Sequence, residues 1–216
     1  SQAYEHQEKN SEKVFTKKVN FKFEIKEEIQ NNGLSLFIVS NFPQDIYAQV
    51  SNKVLNMNEE ELNSSKALDF NDGELVSGLL LVANKLFYVS NDELDSVENY
   101  IKDPNKFINQ IRPYPSLSYE NLIFEFPLFK GQRFGDLSSI TRDDLSHFWY
   151  VDDVYEYEKL NGENFEKTQN FYLIYNTLPD QQTLVFRPYI GILSIGSKHL
   201  GTVSELILNL EEFKIQ

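Results

Sequence analysis

The chain contains no cysteine, one methionine and one tryptophan in 216 residues. Without a thiol, a disulfide scaffold, a thiolate nucleophile and a cysteine-held metal are all excluded. Alanine and arginine are scarce, at 4 residues each. Alanine is the best helix former, so its scarcity weakens any mainly helical reading. Positive charge is also short: 20 Lys and Arg stand against 33 Asp and Glu, a net charge of −13. That balance argues against broad binding to nucleic acid or to anionic membranes, since both want a basic surface. The apolar run Leu79 to Ala83 has the length of a strand, and none approaches the roughly 18 residues of a membrane helix.

What is present favours strands joined by turns. There are 17 Phe, 12 Tyr and 21 Asn, and 41% of residues are hydrophobic. Large rings fill a core and favour pleated surfaces, whereas Asn favours turns. An AT-rich genome would bias composition the same way, so periodicity must carry the argument. From Ser1 to Lys13 charged and amide side chains dominate. This reads as a flexible polar leader, 1–13, which suits a lipoprotein whose signal peptide and anchoring Cys preceded Ser1.

Phe21, Phe23 and Ile25 alternate with Lys22, Glu24 and Lys26, as in a half-buried strand. Leu34 to Val39 predicts a second strand, and Ile46, Ala48 and Val50 a third, after the turn Asn41-Phe42-Pro43-Gln44-Asp45. Residues 56–65 read as a loop or one helical turn. Leu68 to Phe70 and Glu74 to Val82, around Asp72-Gly73, read as a hairpin. Leu86 to Val89 predicts a strand. Leu94, Val97 and Ile101 then share a helical face over 91–103, with acids in its first turn.

Pro113 and Pro115 mark a linker at 111–118. Strands follow at Leu122 to Phe126, Phe171 to Tyr175, Thr183 to Phe186 and Tyr189 to Ile195. Val203, Leu206, Ile207, Leu210 and Phe213 fit a C-terminal helix, with Thr202 and Glu205 at capping-box spacing. An edge strand is the other reading of Ile207 to Leu210. The expectation is a mainly β chain of two small β-sandwich-like domains, 14–112 and 118–216, with one or two short helices.

Two segments echo each other. Asn41-Phe42-Pro43 and Thr177-Leu178-Pro179 each follow a predicted strand and precede another. Ser40-Asn41-Phe42-Pro43, and the hairpin Asp72-Gly73-Glu74-Leu75-Val76-Ser77-Gly78, resemble immunoglobulin-like β-sandwich modules of Gram-positive surface lipoproteins over residues 19–90. The pattern departs at Gln44-Asp45, where such modules have Asp then Gly. The resemblance implies a β-sandwich in an extracellular setting and carries no catalytic residues.

No G-x-S-x-G, S-x-x-K, H-E-x-x-H, phosphate-loop or EF-hand pattern occurs. His6 lies in the leader, leaving His147 and His199 as candidate bases. The densest local cluster is Asp143, Asp144, His147, Trp149, Asp152, Asp153, Tyr155 and Glu156. Rings and carboxylates interleaved in this way suit a sugar or a basic protein partner. The plainer reading is a strand with rings inward and acids in water.

The function expected is a noncatalytic exported or surface-anchored bacterial binding module, with a protein or a cell-surface carbohydrate as partner. No cofactor, no metal and no nucleic acid is expected. The alternatives are an intracellular acidic immunity or inhibitor protein for a basic partner, which charge would steer, and a carboxylate-dependent hydrolase.

Overall fold

A computed structural model describes residues 2–8, 11–70, 74–103, 121–161, 164–199 and 205–210. The fold is mainly β. The strands are β1 (Gln2–Glu8), β2 (Ser11–Thr16), β3 (Val19–Asn20), β4 (Glu24–Asn31), β5 (Leu34–Ser40), β6 (Leu68–Asp69), β7 (Val76–Val82), β8 (Lys85–Val89) and β9 (Leu122–Glu125). They continue with β10 (Arg133–Gly135), β11 (Phe148–Asn161), β12 (Asn164–Asn176), β13 (Asp180–Arg187), β14 (Gly191–His199) and β15 (Glu205–Asn209). Among the described residues three helices interrupt them: α1 (Pro43–Leu55), α2 (Glu59–Asn63) and α3 (Asn91–Lys102).

Strands β4-β5-β7-β8-β9 form an antiparallel five-stranded sheet, and β10-β11-β12-β13-β14-β15-β1-β2 an antiparallel eight-stranded sheet. Helix α3 covers one face of the smaller sheet with Leu94, Val97 and Ile101, its predicted face. The approach is close: a Cβ on Gly78 would come within 3.0 Å of Val89 and 3.1 Å of Leu36 and Leu94. The other face meets the larger sheet, where the Phe124 ring packs 4.6 Å from that of Phe186. One apolar cluster runs from Leu36, Leu80 and Phe87 through Phe134 and Val151 to Leu173 and Leu184.

The segment read as a leader lies along β15 as β1 and turns back as β2. Strand β9 follows the expected domain boundary but pairs with β8. Each half of the chain therefore lends strands to the sheet built mostly by the other. The proposed linker, 111–118, lies outside the described residues.

Three local expectations are corrected. The strand expected at Ile46 to Val50 is helix α1. Pro43 sits at its first position, where a missing N–H costs nothing, and Ile46, Val50 and Val54 bury one face at intervals of four. The hairpin expected over 68–82 does not form: β6 pairs parallel with β3, whereas β7 pairs with β5 and β8. Over Glu205–Asn209 the C-terminal helix is instead strand β15, an interior strand between β14 and β1. Adjacent strands on both sides satisfy its backbone, which outweighs the helical periodicity.

A second apolar cluster packs Ile46, Val50 and Val54 against Leu62, Leu68 and Leu208. Lys17, buried at 3% exposure, closes it by donating to the Glu61 and Ser64 carbonyls at 2.7 and 2.8 Å. A cation at the carboxyl end of α2 is favoured by the helix dipole.

Candidate functional site

Helix α1 is a brace between the sheets. Asp45 accepts hydrogen bonds from Tyr88 Oη (2.7 Å) and Ser77 Oγ (2.9 Å), tying its first turn to the smaller sheet. Burial, then the bonded and charged Asp45, push the Tyr88 hydroxyl far above its ordinary pKa. Two residues after Asp45, and therefore on the opposite side of the helix, Tyr47 Oη donates to the Leu206 carbonyl at 3.2 Å on the larger sheet. Burial is the main reason its pKa rises to about 12, so this hydroxyl stays protonated at neutral pH.

Between α1 and the larger sheet lies a cleft of about 360 Å³, within the roughly 300–1,000 Å³ of small-molecule sites. Gln44, Tyr47, Ala48, Ser51 and Asn52 form one wall; Trp149, Gln182 and Thr183 form the other, over Leu184, Ile195 and Gly196. The helical wall repeats every three or four residues, as one face of a helix must. None of these lining side chains carries a charge at neutral pH. Gly196 keeps the floor open, since a Cβ there would sit 2.5 Å from Thr183 Oγ1.

A second groove, of about 680 Å³, is apolar, with Phe126, Pro127, Phe171, Phe186, Pro188 and Tyr189 around it. Tyr189 is 96% exposed.

The acidic aromatic segment lies on β11 and the loop before it. Phe148 and Val151 are buried, and a bulge between Val151 and Asp153 breaks the alternation. Asp144 is held by Arg142 Nη2 at 2.5 Å. The guanidinium and the Ser146 hydroxyl keep its carboxyl well below the usual range. Asp153 pairs with Lys130 at 2.7 Å, and this bond, aided by the Val154 N–H, lowers its pKa. Asp143, Asp152, Tyr155 and Glu156 are exposed. Tyr150 and Tyr172 titrate above their ordinary pKa, through burial first and the Asp152 charge as well.

Asp144, Ser146 and His147 are brought together. Ser146 Oγ donates to Asp144 at 2.8 Å and lies 2.9 Å from His147 Nδ1. The order differs from a nucleophile relay, where the acid orients the base. Here the acid contacts the hydroxyl, and Ser146 is fully buried. His199 lies at the end of β14 beside Asp180, at 2.7 Å. Among the described residues no three His, Asp or Glu side chains converge as metal ligands. None of the described helices is long and apolar enough to cross a membrane.

Of the segment's residues, Trp149 alone lines the α1 cleft. It lies across from α1, with its ring 5.3 Å from Tyr175. The sequence reading missed Gln44, Tyr47, Ser51, Asn52, Gln182 and Thr183. The signal for the first four was the 44, 47, 48, 51, 52 spacing beside the 46, 50, 54 apolar stripe. No protein-family model, curated protein or solved structure matches the chain.

Proposed function

We propose that the chain is a noncatalytic binding module, exported or anchored at the bacterial surface, with its ligand seat in the cleft between α1 and strands β13 and β14. The observation that carries this reading is the lining itself. It offers amides, hydroxyls and an indole, with no carboxylate, imidazole or amine. General acid–base chemistry needs a group that titrates near the working pH. Tyr47, at about 12, is not one. Asp144 and Asp153, whose pKa values are lowered, are engaged by Arg142 and Lys130. An extracellular setting is supported by the cysteine-free composition and by the likeness of residues 19–90 to surface modules.

The test is ligand-dependent stabilisation. A ligand that binds only the folded state raises the melting temperature as its concentration rises. Small-molecule, oligosaccharide and peptide panels are screened against the wild type and Ala48→Phe, which fills the cleft from an exposed position. The expected result is at least one ligand that stabilises the wild type and not the variant. Hits that stabilise both equally place binding elsewhere and remove this reading. A native gene whose leader lacks a signal peptide would remove the exported setting.

A further inference from the structure

We propose that the α1 cleft takes a neutral saccharide unit, with Trp149 as its stacking platform and Gln44, Asn52 and Gln182 reading its hydroxyls. The inference rests on the cleft being the ligand seat and deepens it by naming the ligand chemistry. Three properties of the lining converge on it.

The first is charge. The chain carries −13 overall, yet the cleft lining contributes none of it. An ionic ligand taken out of water into such a seat would have no counter-charge, which is costly. A neutral ligand carries no such penalty.

The second is hydrogen-bond type. A sugar hydroxyl both donates and accepts, and an amide side chain offers one group of each kind. Three amides, Gln44, Asn52 and Gln182, border this one cleft together with the hydroxyl of Ser51. None of these four side chains makes a hydrogen bond to another described residue, whereas Asn41, Asn176 and Gln181 elsewhere are each tied into the fold. No described residue takes up their bonding capacity, which leaves it for a ligand.

The third is the ring. Sugars present C–H faces between their hydroxyl rims, and an indole offers a broad apolar surface for them. Trp149 is half-buried, packs against its cross-strand partner Tyr175, and borders the same space as the amides. Leu184 and Ile195 add apolar floor, and Gly196 leaves it flat. The combination of one ring, an apolar floor and an amide rim matches a pyranose better than a peptide, whose charged termini and side chains would find no partner.

The chain's single tryptophan makes the test direct. Cellotriose, xylotriose, maltotriose and chitotriose are titrated while Trp149 emission is followed, with calorimetry in parallel. Insoluble cellulose, xylan and chitin pull-downs separate a polysaccharide surface from a free oligosaccharide. The expected result is a saturable emission change with one series, unchanged from low to high salt, because a neutral ligand has no counterions to release. Gln182→Ala and Asn52→Ala, both exposed, should each weaken binding about two- to tenfold. Trp149→Ala should weaken it at least about tenfold, with Trp149→Phe retaining part of the affinity. Because Trp149→Ala removes a core contact as well, the two amide variants carry the test if it fails to fold.

If a peptide or a charged metabolite shifts Trp149 emission and Ala48→Phe blocks it, the cleft is the seat but the saccharide proposal is overturned. If saccharides bind but Gln182→Ala, Asn52→Ala and Ala48→Phe leave affinity unchanged, both the proposal and the cleft reading fail. If no saccharide binds by calorimetry, the proposal fails outright.

Discussion

The chain twice leaves a β-strand, passes a residue with positive φ and turns at a proline, and the two turns lead to different elements. After β5, Asn41 has φ 54° and Pro43 opens helix α1. After β12, Leu178 has φ 38° and Pro179 opens strand β13. The residues after each proline decide the outcome. Beyond Pro43 the apolar positions fall at 46, 50 and 54, the spacing of a helical face. Beyond Pro179 come Thr183, Leu184, Val185 and Phe186, a β-branched and aromatic run. The anchoring differs too. Asn41 is buried and its side chain bonds the Lys22 carbonyl at 3.0 Å and the Leu75 N–H at 3.2 Å, which fixes an otherwise disfavoured conformation. The second turn is stitched from its ends, by Gln181 to Asn176 at 2.9 Å and by the Thr177 N–H to the Asp180 carbonyl at 2.7 Å. Opposite walls of one cleft issue from these two turns, Gln44 to Asn52 from the first and Gln182 to Leu184 from the second.

The largest effect is expected at the first apolar position of α1. Ile46 is fully buried between the helix and its neighbours. Ile46→Ala should cost about 2–5 kcal/mol, from lost transfer and the cavity left behind. Chemical denaturation would measure it. A loss well under 1 kcal/mol would mean that α1 is not seated as described and that the helical reading of the first turn fails.

The second position after each proline isolates the anchoring. Asp45 joins α1 to Tyr88 and Ser77 of the smaller sheet, so Asp45→Ala strips two charge-assisted bonds. Such bonds contribute about 1.5–3 kcal/mol each, and the shared loss should reach at least the upper single value, since the buried Ser77 hydroxyl is left without a partner. The helix loses its hold on the smaller sheet, so ligand affinity at the cleft should fall with stability. Gln181, at the matching position, spans only its own turn. Gln181→Ala should cost about 0.5–1.5 kcal/mol and leave cleft affinity unchanged. Equal effects of the two variants on affinity would erase the distinction between a bracing and a local turn.

These turns also mark what could be read before the fold was known. The β-rich class, helix α3 and the strands around 34–39, 86–89, 171–175 and 183–186 follow from short-range period, because burial of one face imposes it. At α1 the same residues support two periods. Ile46 and Val50 fit an alternation through Ala48 and a helical stripe through Val54, and small Ala48 tips the count toward a strand although it lies exposed. Pairing partners are non-local, so they leave little trace in sequence. Strand β6 looks like half of a hairpin, yet its partner is β3, far back along the chain. The acidic segment drew attention by density, but density does not reveal that Lys130 and Arg142 occupy two of its acids. The cleft residues are neutral and individually ordinary. Only the junction of two distant turns brings them around one cleft.

The smallest expected effect separates the two sides of the brace. Tyr47→Phe removes one hydrogen bond to the Leu206 carbonyl while keeping the ring, so at neutral pH it should cost no more than about 1 kcal/mol. Its pH dependence is more telling. The Tyr47 pKa is raised to about 12 by burial, against about 10 in the unfolded chain. Between those values the folded state holds a proton the unfolded state has lost. The contribution is therefore complete below pH 10 and disappears as pH rises through 12. The substituted ring carries no hydroxyl to titrate, so the stability curves of wild type and variant should run parallel below pH 10, then cross, with the wild type falling below the variant as pH approaches 12. Tyr88, raised in both proteins, cancels from the difference. Parallel curves across the whole alkaline range would show that Tyr47 is open to water, and that α1 rests on the smaller sheet alone.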